Sequence, residues 1–259
     1  MTATLEAIGV TKTFGAVTAA SNITVQVEEA TVVGLIGANG AGKTTFLNLV
    51  TGHLRPTAGT IRYQGREITR LSPRQVTQLG ISRSFQIPQV FDSLSAYENL
   101  LVATGIAARE SRNPSGARDA KGMAEAAQRM LSRFNLAAHR DLPACVLPEG
   151  VRKLLDISMA MVGKPKVLLL DEPTSGVSAD EKFALMDLVL AGISGEGVTV
   201  LFVEHDMDIV RRYAQRILAF YEGRIIADGQ PQSVLDDSEV QKLVVGEEGR
   251  RGRAEASSC

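Results

Sequence analysis

The sequence predicts an α/β protein, and three apolar runs lead to that prediction. The first, TVVGLI (31–36), ends in glycines and opens onto a helical pattern, KTTFLNLVTG, which Gly52 closes. Two more runs, KVLLL (166–170) and VTVLFV (198–203), are separated by a helical stretch from about Glu181 to Ile193. Unbroken apolar runs of this kind are typical of strands buried on both faces of a parallel sheet. The alternation therefore indicates parallel strands with helices packed against them.

Two regions depart from this alternation. The first 30 residues contain LEAIGV and ITVQV, in which apolar and polar residues alternate, so we expect an antiparallel β subdomain at the edge of the core. Residues 96–162 are mostly helical by pattern, with apolar side chains at helical spacing. Those side chains belong to Met123, Ala126, Ala127, Met130, Leu131 and Phe134. We therefore expect a helical subdomain, at approximately residues 90–162, inserted into the α/β core.

The carboxyl-terminal part of the chain is predicted to contain small elements and a tail. Two short strands are expected around Gly223, and a small helix is expected near Ser233 to Asp236. Residues 246–259, GEEGRRGRAEASSC, balance their charges and lack apolar content, which is typical of disordered segments. We predict one folded region over residues 1–245, followed by a disordered tail.

Composition and charge exclude several classes of protein. The chain has 259 residues, 44% of them hydrophobic, which is enough for a sizeable core. Lys and Arg number 28 against 29 Asp and Glu, so no overall positive charge favours nucleic acid. Cys145 and Cys259 are far apart in sequence, which disfavours a disulfide framework and indicates a reducing compartment. The sequence has no run of 18 apolar residues and no signal-peptide pattern, so we expect any membrane role to require a partner.

A glycine-rich segment, GANGAGKTT (37–45), carries the strongest functional signal. It fits the pattern G-x-x-x-x-G-K-[ST], and it follows a predicted strand and opens a predicted helix, which is the context the pattern requires. Glycines allow backbone N–H groups to surround phosphate oxygens, Lys43 can reach the β and γ phosphates, and Thr44 can bind Mg²⁺. An ordinary glycine-rich turn is the alternative. We predict a nucleotide-binding loop made of Gly37, Ala38, Asn39, Gly40, Ala41, Gly42, Lys43, Thr44 and Thr45.

Acidic and imidazole side chains follow two of the predicted strands. VLLLDEP (167–173) places Asp171 where it can join a magnesium shell and Glu172 where it can polarise an attacking water. Without a phosphate loop, an acidic pair here would mark only the end of a strand. His205, in VLFVEHD, can hydrogen-bond a γ-phosphate, although a single histidine is more often structural. Its position at the carboxyl end of a predicted parallel strand favours the functional interpretation.

Two further candidates have weaker support. Gln86, in ISRSFQIPQVF, follows another short predicted strand, and its amide oxygen could contact Mg²⁺ and the attacking water. Packing or turn formation would also explain this residue. Phe14 is an isolated aromatic residue on a predicted strand, which could stack on an adenine ring or belong to the core.

Together and in this order, these residues resemble the nucleotide-binding subunit of an ATP-binding cassette transporter, over nearly the whole chain. Within that family, the segments GISRSFQ and EHDMDIV and the ending IIADGQPQSVLDDSEVQKLVVG are similar to importer subunits for branched-chain amino acids and related substrates. The resemblance implies a P-loop NTPase core that binds ATP and Mg²⁺. It implies phosphate binding by Lys43, metal binding by Thr44, Gln86 and Asp171, general base catalysis by Glu172 and a switch role for His205.

The segment LPEGVRK (147–153) occupies the position of the family's signature, which usually reads Leu-Ser-Gly-Gly-Gln and contacts ATP bound to the other subunit of a head-to-tail dimer. Here Pro148 replaces the serine and Glu149 replaces a glycine. Val151 replaces the glutamine, whereas Gly150 is retained as the expected contact to that ATP. A proline and an acid at the start of a helix also stabilise it without any ligand, and we favour this explanation for both residues. A different subunit should then supply the better signature.

The resemblance implies an ATPase that powers an importer for branched-chain amino acids or similar small organic substrates through ATP-driven closure of a dimer. The expected partners are membrane permease subunits, bound through the region around Ile87 to Leu101, and a second cassette subunit, in a heterodimer rather than a homodimer. A periplasmic binding protein is an indirect partner, and nucleic acid is not expected. We expect the protein at the cytoplasmic face of the inner or plasma membrane. The alternatives are a lipid or lipopolysaccharide exporter ATPase and a soluble cassette ATPase outside transport.

Overall fold

A computed structural model describes residues 3–110 and 119–246 of the chain. They belong to two compact units, one with the residues up to Val76 and those from Thr199 onward, and the other with Thr77–Val198. Among the described residues, no helix is both long enough and apolar enough to cross a bilayer. Almost all of the tail predicted to be disordered, from residue 247 onward, lies outside the described residues.

The strands and helices of these units follow one another in mixed order, with β-strands first and three successive α-helices between β6 and β7. The strands are β1 (Ala3–Phe14), β2 (Val17–Glu28), β3 (Val32–Ile36), β4 (Ala58–Tyr63), β5 (Arg66–Glu67), β6 (Ile81–Ser84), β7 (Val167–Asp171), β8 (Thr199–Val203), β9 (Arg216–Tyr221) and β10 (Arg224–Gly229). The helices are α1 (Lys43–Val50), α2 (Pro73–Leu79), α3 (Ala96–Glu110), α4 (Ala120–Arg133), α5 (Glu149–Met161), α6 (Ala179–Ile193), α7 (Met207–Tyr213), α8 (Pro231–Leu235) and α9 (Ser238–Val240). A π-helical turn, Gln241–Val245, follows α9.

An antiparallel sheet in the first unit has the strand order β2-β1-β4-β5. Alternate side chains of the long pair β1 and β2 are buried, including Leu5, Ala7, Val25 and Val27. This alternation is the pattern that predicted antiparallel strands in the first 30 residues, and that prediction is confirmed. The sequence pattern did not reveal β4 and β5, because their short apolar stretches are interrupted by turn-forming and charged residues.

The other strands of the first unit provide its parallel pairings. β3 pairs in parallel with β8 and with β9, and β10 pairs antiparallel with β9. All five residues of β8 are buried, which agrees with the unbroken apolar run that predicted it. Gly34 of β3 permits α7 to approach closely, since a Cβ there would lie 3.1 Å from Val210 Cγ1 and 3.2 Å from the Cβ of Ala214.

The second unit combines a parallel strand pair with helices. β6 pairs in parallel with β7, with Ser84 opposite Leu170, and all five residues of β7 are buried. α3 packs against α4 and α5, and α5 also packs against α6. Ala127 and Leu131 of α4 are buried, as is Phe134 just beyond it, which confirms the helical spacing seen in the sequence. The bounds of an inserted subdomain at about 90–162 remain a prediction.

Two helices of the second unit begin with serine and glutamate three residues apart. At α3, the backbone N–H of Ser95 donates to Glu98 Oε2 (2.8 Å) and the backbone N–H of Glu98 donates to Ser95 Oγ (3.2 Å), which is a complete capping box. The same spacing predicts a capping box for Ser178 and Glu181. Ser178 is indeed the N-cap of α6, but its hydroxyl donates to Glu181 Oε2 (2.6 Å) instead of accepting from the backbone.

A neighbouring aromatic ring leaves no room for a side chain at Gly192, near the end of α6. A Cβ at this position would lie 2.5 Å from Cε1 and 2.7 Å from Cδ1 of Phe134, whose side chain is fully buried. We predict that Gly192→Ala lowers the free energy of unfolding by about 1–3 kcal/mol, because the ring cannot move aside. Urea unfolding followed by circular dichroism measures this change.

Gly105→Ala is the matched control for this substitution. Gly105 is also helical, but a Cβ there would lie 3.8 Å from Met123 Sδ, an ordinary contact. Removing a glycine from the interior of α3 should therefore stabilise the protein by about 0.5–1 kcal/mol. Equal unfolding midpoints for the two variants would contradict the predicted clash at Gly192.

Candidate nucleotide and catalytic site

The predicted phosphate loop connects β3 to α1 in the first unit. Gly42 is the N-cap of α1 and has φ +106°, a conformation that favours glycine. A Cβ at Gly42 would also lie 2.7 Å from the carbonyl oxygen of Ala19, so the neighbouring backbone excludes a side chain there. The loop closes further through a hydrogen bond from the backbone N–H of Ala41 to the carbonyl oxygen of Ala38 (3.0 Å). Glycine is thus required by local geometry as well as by the predicted ligand.

Lys43 folds back over this loop. Its side chain is 5% exposed, and its Nζ donates to the carbonyl oxygens of Gly37 and Ala38. Thr44, the next residue of α1, is exposed. A lysine ammonium beside the unpaired N–H groups of a helix start forms a region of positive potential that suits an anion such as phosphate.

His205 emerges near the same edge of the first unit as the loop. β8 pairs in parallel with β3, with Val203 opposite Leu35, so the carboxyl ends of both strands lie side by side. Between β8 and His205 lies Glu204, which is 4% exposed and donates its backbone N–H to the carbonyl oxygen of Leu35 (3.3 Å). His205 is partly buried, and Asp206 after it caps α7. The structure thus brings His205 and the phosphate loop to adjacent strand ends.

Phe14 lies at the end of β1, where it is paired with Val17 of β2. Its side chain is 48% exposed, and the Nζ of Lys12 lies 4.9 Å from the centre of its ring. This exposure excludes the alternative that Phe14 belongs to the core. Contact with an adenine ring remains a prediction.

Asp171 ends β7 in the second unit and forms an ion pair that the sequence did not indicate. Arg83 Nη2 of β6 lies 2.6 Å from Asp171 Oδ2, and the two side chains are 5% and 7% exposed. The parallel pairing of β6 with β7 brings these side chains together. Because one partner alone would be a buried uncompensated charge, removing either one costs about 3–5 kcal/mol. Arg83 therefore fixes the orientation of Asp171.

Glu172 combines an unusual backbone conformation with a side-chain contact to Gln86. Its φ is +51°, in the left-handed region, where a non-glycine residue costs about 1–3 kcal/mol. Gln86, exposed just beyond β6, donates from Nε2 to Glu172 Oε2 (2.7 Å). Asp171, Glu172 and Gln86 therefore lie at the carboxyl ends of a parallel strand pair. This hydrogen bond gives Gln86 a role other than simple packing.

The LPEGVRK segment begins α5. Pro148 is its N-cap, without a side-chain cap, and Glu149 is an exposed acid in the first turn. Among the described residues, the Glu149 side chain makes no hydrogen bond or ion pair. A Cβ at Gly150 would meet only Val177, at 3.9 Å, so packing within the protein does not require glycine there. These features agree with the structural explanation favoured for Pro148 and Glu149.

The two basic residues after Glu149 interact with other groups. Arg152 Nη2 lies 2.7 Å from Asp92 Oδ1. Lys153, only 4% exposed, donates from Nζ to the carbonyl oxygen of Glu172 (2.9 Å) and to Ser175 Oγ (2.8 Å). Both side chains thus bind residues other than Glu149, so neither of them neutralises the exposed Glu149 carboxylate.

Asp156, further along α5, connects this helix to the segment that carries Gln86. It accepts hydrogen bonds from the hydroxyl of Ser84 (2.5 Å) and from the backbone N–H of Gln89 (2.9 Å). Burial raises the pKa of the Asp156 carboxyl, although the hydrogen bond from Ser84 opposes that rise. The buried carboxylate therefore ties both ends of the segment 84–89 to α5.

Comparisons with known proteins cover the region that contains the phosphate loop and the acidic pair. The family model described as ABC transporter matches residues 20–175, more than half of the chain. The chain belongs to the ABC transporter family. It is 36% identical over 249 residues to the high-affinity branched-chain amino acid transport ATP-binding protein BraF of Pseudomonas aeruginosa, covering 94% of this chain and 98% of that protein. It is 33% identical over 245 residues to the corresponding protein LivG of Escherichia coli, covering 92% and 96%.

Solved structures also identify this ABC protein as an ATP-binding cassette. It is similar to the ADP conformation of an ATP-binding cassette of an ABC transporter, with a TM-score of 0.83, 29% identity and coverage of 94% and 98% of the two chains. A nucleotide-free cassette gives a TM-score of 0.81 at 28% identity, covering 93% of this chain and 98% of that one. The P-loop NTPase fold is thereby confirmed, and the protein is a nucleotide-binding ATPase subunit.

Three side chains of this cassette were missed by the sequence analysis: Arg83, Lys153 and Asp156. Asp156 is a charged residue within the mainly apolar stretch LLDISMAM, which is a detectable signal for a buried partner, whereas Arg83 and Lys153 have polar neighbours and give no such signal. The signal does not name that partner, because each contact joins residues far apart in sequence. Only the folded arrangement assigns Arg83 to Asp171, Lys153 to Glu172, and Asp156 to Ser84 and Gln89.

The raised pKa of Asp156 predicts a pH dependence of stability. The folded cassette holds the Asp156 proton to a higher pH than the unfolded chain, whose Asp pKa is about 3.9. Its contribution to stability is therefore greatest below that value and is lost as the pH rises through the folded pKa. Relative to Asp156→Asn, the wild type should lose up to about 1.4 kcal/mol per pH unit within that window.

Urea unfolding between about pH 4 and about pH 8 tests this dependence. Asp141→Asn is the control, since the Asp141 side chain is 80% exposed. The difference between the wild type and this control should stay nearly constant with pH. Parallel stability curves for the wild type and Asp156→Asn would contradict the prediction.

Proposed function

We propose that this cassette hydrolyses ATP to power an importer of branched-chain amino acids or similar small organic substrates. The substrate class rests on one observation: the relatives BraF and LivG carry that name, and they match over more than nine-tenths of this chain. The intact phosphate loop and the Asp171–Glu172 pair support hydrolysis in addition to binding. The cargo itself would be chosen by other subunits.

In this proposal, two sets of residues act on one ATP molecule. The backbone of 37–42, with Lys43 and Thr45, binds the phosphates, and Phe14 contacts the adenine ring. Glu172 acts as general base on the attacking water, and His205, which follows the strand next to the loop, hydrogen-bonds the γ-phosphate. The burial of Lys43 against carbonyl oxygens supports this scheme, because a phosphate can replace those acceptors without any change in the charge of the ammonium.

Mg²⁺ fits the donor groups proposed for it. Thr44, Gln86 and Asp171 offer hydroxyl, amide and carboxylate oxygens, the ligands that this cation prefers, and it keeps several waters or phosphate oxygens as well. Arg83 contacts Oδ2 of Asp171, and Gln86 uses its Nε2 for Glu172, so Asp171 Oδ1 and Gln86 Oε1 have no partner among the described residues. A bound Mg²⁺ would neutralise phosphate charge. The described residues contain no group of three or more His, Cys, Asp or Glu for a metal, which suits an ion held partly by its nucleotide.

Glu172→Gln tests the proposed general base. We expect the rate of ATP hydrolysis to fall by about 10²–10⁴-fold while ATP still binds, because the amide cannot accept the proton of the attacking water. Phosphate release measures hydrolysis, and calorimetry measures binding. Glu67→Gln, at an exposed residue of β5, is the matched control and should hydrolyse ATP normally. Hydrolysis by Glu172→Gln at the wild-type rate would remove Glu172 from the mechanism.

We propose that membrane permease subunits bind the region around Ile87 to Leu101, at the cytoplasmic face of the inner or plasma membrane. Ile87 is 74% exposed and Phe91 is 49% exposed, so two large apolar side chains are available for a partner. Asn99 of α3 holds the loop that presents Phe91, accepting from its backbone N–H (2.7 Å) and donating to its carbonyl oxygen (3.1 Å). A periplasmic binding protein would take part only through those permeases, and nucleic acid is not a proposed partner.

The signature segment favours a second, different cassette as the dimer partner. In a head-to-tail dimer, Gly150 and its neighbours would face the γ-phosphate bound by the other subunit. The exposed carboxylate of Glu149 would repel that phosphate, whereas Arg152 interacts with Asp92 and Lys153 with Glu172 and Ser175. A heterodimer, in which the partner contributes an undamaged signature to this chain's own ATP, avoids that repulsion at one of the two sites.

Substitutions at Glu149 test this asymmetry. In a Glu172→Gln background, Glu149→Gly and Glu149→Gln should both increase ATP-dependent dimerisation of the isolated chain, because both remove the charge. Analytical ultracentrifugation with and without ATP measures the dimer, and ATP affinity should be unchanged. Glu67→Gln is again the charge-matched control. If the wild-type chain alone hydrolysed ATP cooperatively at the rate of the mixed complex, the heterodimer would be excluded.

A further inference from the structure

The backbone of Glu172 is held by a small set of donors within the second unit. Its carbonyl oxygen accepts from Lys153 Nζ (2.9 Å), from Ser175 Oγ (3.0 Å) and from the backbone N–H of Ser175 (3.1 Å). Glu172 has φ +51°, a conformation that an isolated peptide would leave. Within the acidic pair, these donors therefore stabilise the residue that has the unfavourable left-handed backbone conformation.

Lys153 is the donor that comes from another element. It lies on α5 and is 4% exposed, and its Nζ also donates to Ser175 Oγ (2.8 Å), so one ammonium contacts both acceptors of the turn. Burial of an ammonium is unfavourable unless its donors are satisfied, and here they point to a neutral carbonyl and a hydroxyl. Asp156 also interacts electrostatically with Lys153 from the next turn of α5. The two hydrogen bonds to the turn fix the position of the ammonium.

We propose that Lys153 is a positioning residue for Glu172, which it holds in the left-handed conformation through its carbonyl oxygen. This inference rests on the proposed role of Glu172 as general base. A general base must lie within hydrogen-bond reach of the proton that it abstracts, so a small rotation of its backbone reduces the rate of hydrolysis without affecting ATP affinity. The helix that holds Glu172 also begins with Glu149 and Gly150, so α5 links the segment facing a partner cassette to the base of its own subunit.

The first test needs neither nucleotide nor partner. Lys153→Met removes the ammonium but keeps a long apolar stem, and Lys166→Met makes the same change at an exposed lysine. Amide hydrogen exchange of the isolated full chain, read by mass spectrometry on peptides covering 172–178, should be about 3-fold faster or more for Lys153→Met than for Lys166→Met. Exchange at the wild-type rate in both variants would overturn the proposal.

The second test measures hydrolysis in the complete complex, isolated through a tag on this chain. Lys153→Met should lower kcat by about 10-fold or more and leave the Kd for ATP within about 2-fold of the wild type, whereas Lys153→Arg should recover most of the loss. A normal kcat, or a proportional loss of kcat and ATP affinity, would show that Lys153 does not position the base. If Lys153→Met does not fold, Ser175→Ala carries the test, with a fall in kcat of about 3-fold or more expected and an unchanged kcat contradicting the proposal.

Glu172→Gln in the same complex separates this inference from the proposed function. Wild-type hydrolysis by Glu172→Gln would refute the role of Glu172 as base, whatever the Lys153 variants do. Loss of hydrolysis in Glu172→Gln, together with normal exchange and normal kcat in Lys153→Met, would refute only the positioning role of Lys153.

Discussion

Parallel pairing between buried strands is the constraint on which the candidate site depends. In the first unit it aligns β3 with β8, and in the second it aligns β6 with β7. Every residue of β7 and of β8 is buried, so slipping either strand by one residue would exchange side chains of different shape between two closely packed faces. The register is therefore strongly fixed, and with it the positions of Asp171 and His205 relative to the ends of their neighbouring strands.

Helix α5 positions the residues that follow the ends of β6 and β7. Arg152 contacts Asp92, Lys153 contacts the backbone of Glu172, and Asp156 contacts Ser84 and Gln89. Lys153 and Asp156 are buried, so breaking either of their contacts would leave a buried donor or acceptor, whereas Asp92 is exposed. The segment carrying Gln86 and the turn carrying Glu172 are thus held by one helix, so their separation cannot change freely.

The sequence predicted those parts of the site that depend on local spacing. The phosphate loop could be recognised because its glycines, Lys43 and Thr44 follow one another between a strand and a helix. Arg83 and Lys153 could not be assigned, because polar or charged residues stand beside them in sequence and their partners lie far away along the chain. The capping box predicted at Ser178 shows a further limit, since the spacing located the helix start correctly but the hydroxyl donates to the Glu181 carboxylate instead of accepting from a backbone N–H.

The first turns of α5 stabilise their own subunit through the exposed Glu149 and the buried Lys153, but they present a carboxylate that disfavours an anionic ligand. An acid in the first turn of α5 interacts favourably with the helix dipole, which stabilises the helix whether or not a phosphate approaches. The nearby ammonium lies too deep to compensate that acid at the surface, because its donors point to Glu172 and Ser175. The same arrangement that supports the proposed base therefore leaves an exposed negative charge at the start of α5, the segment proposed to face a second ATP, and this charge supports the proposal of a mixed dimer.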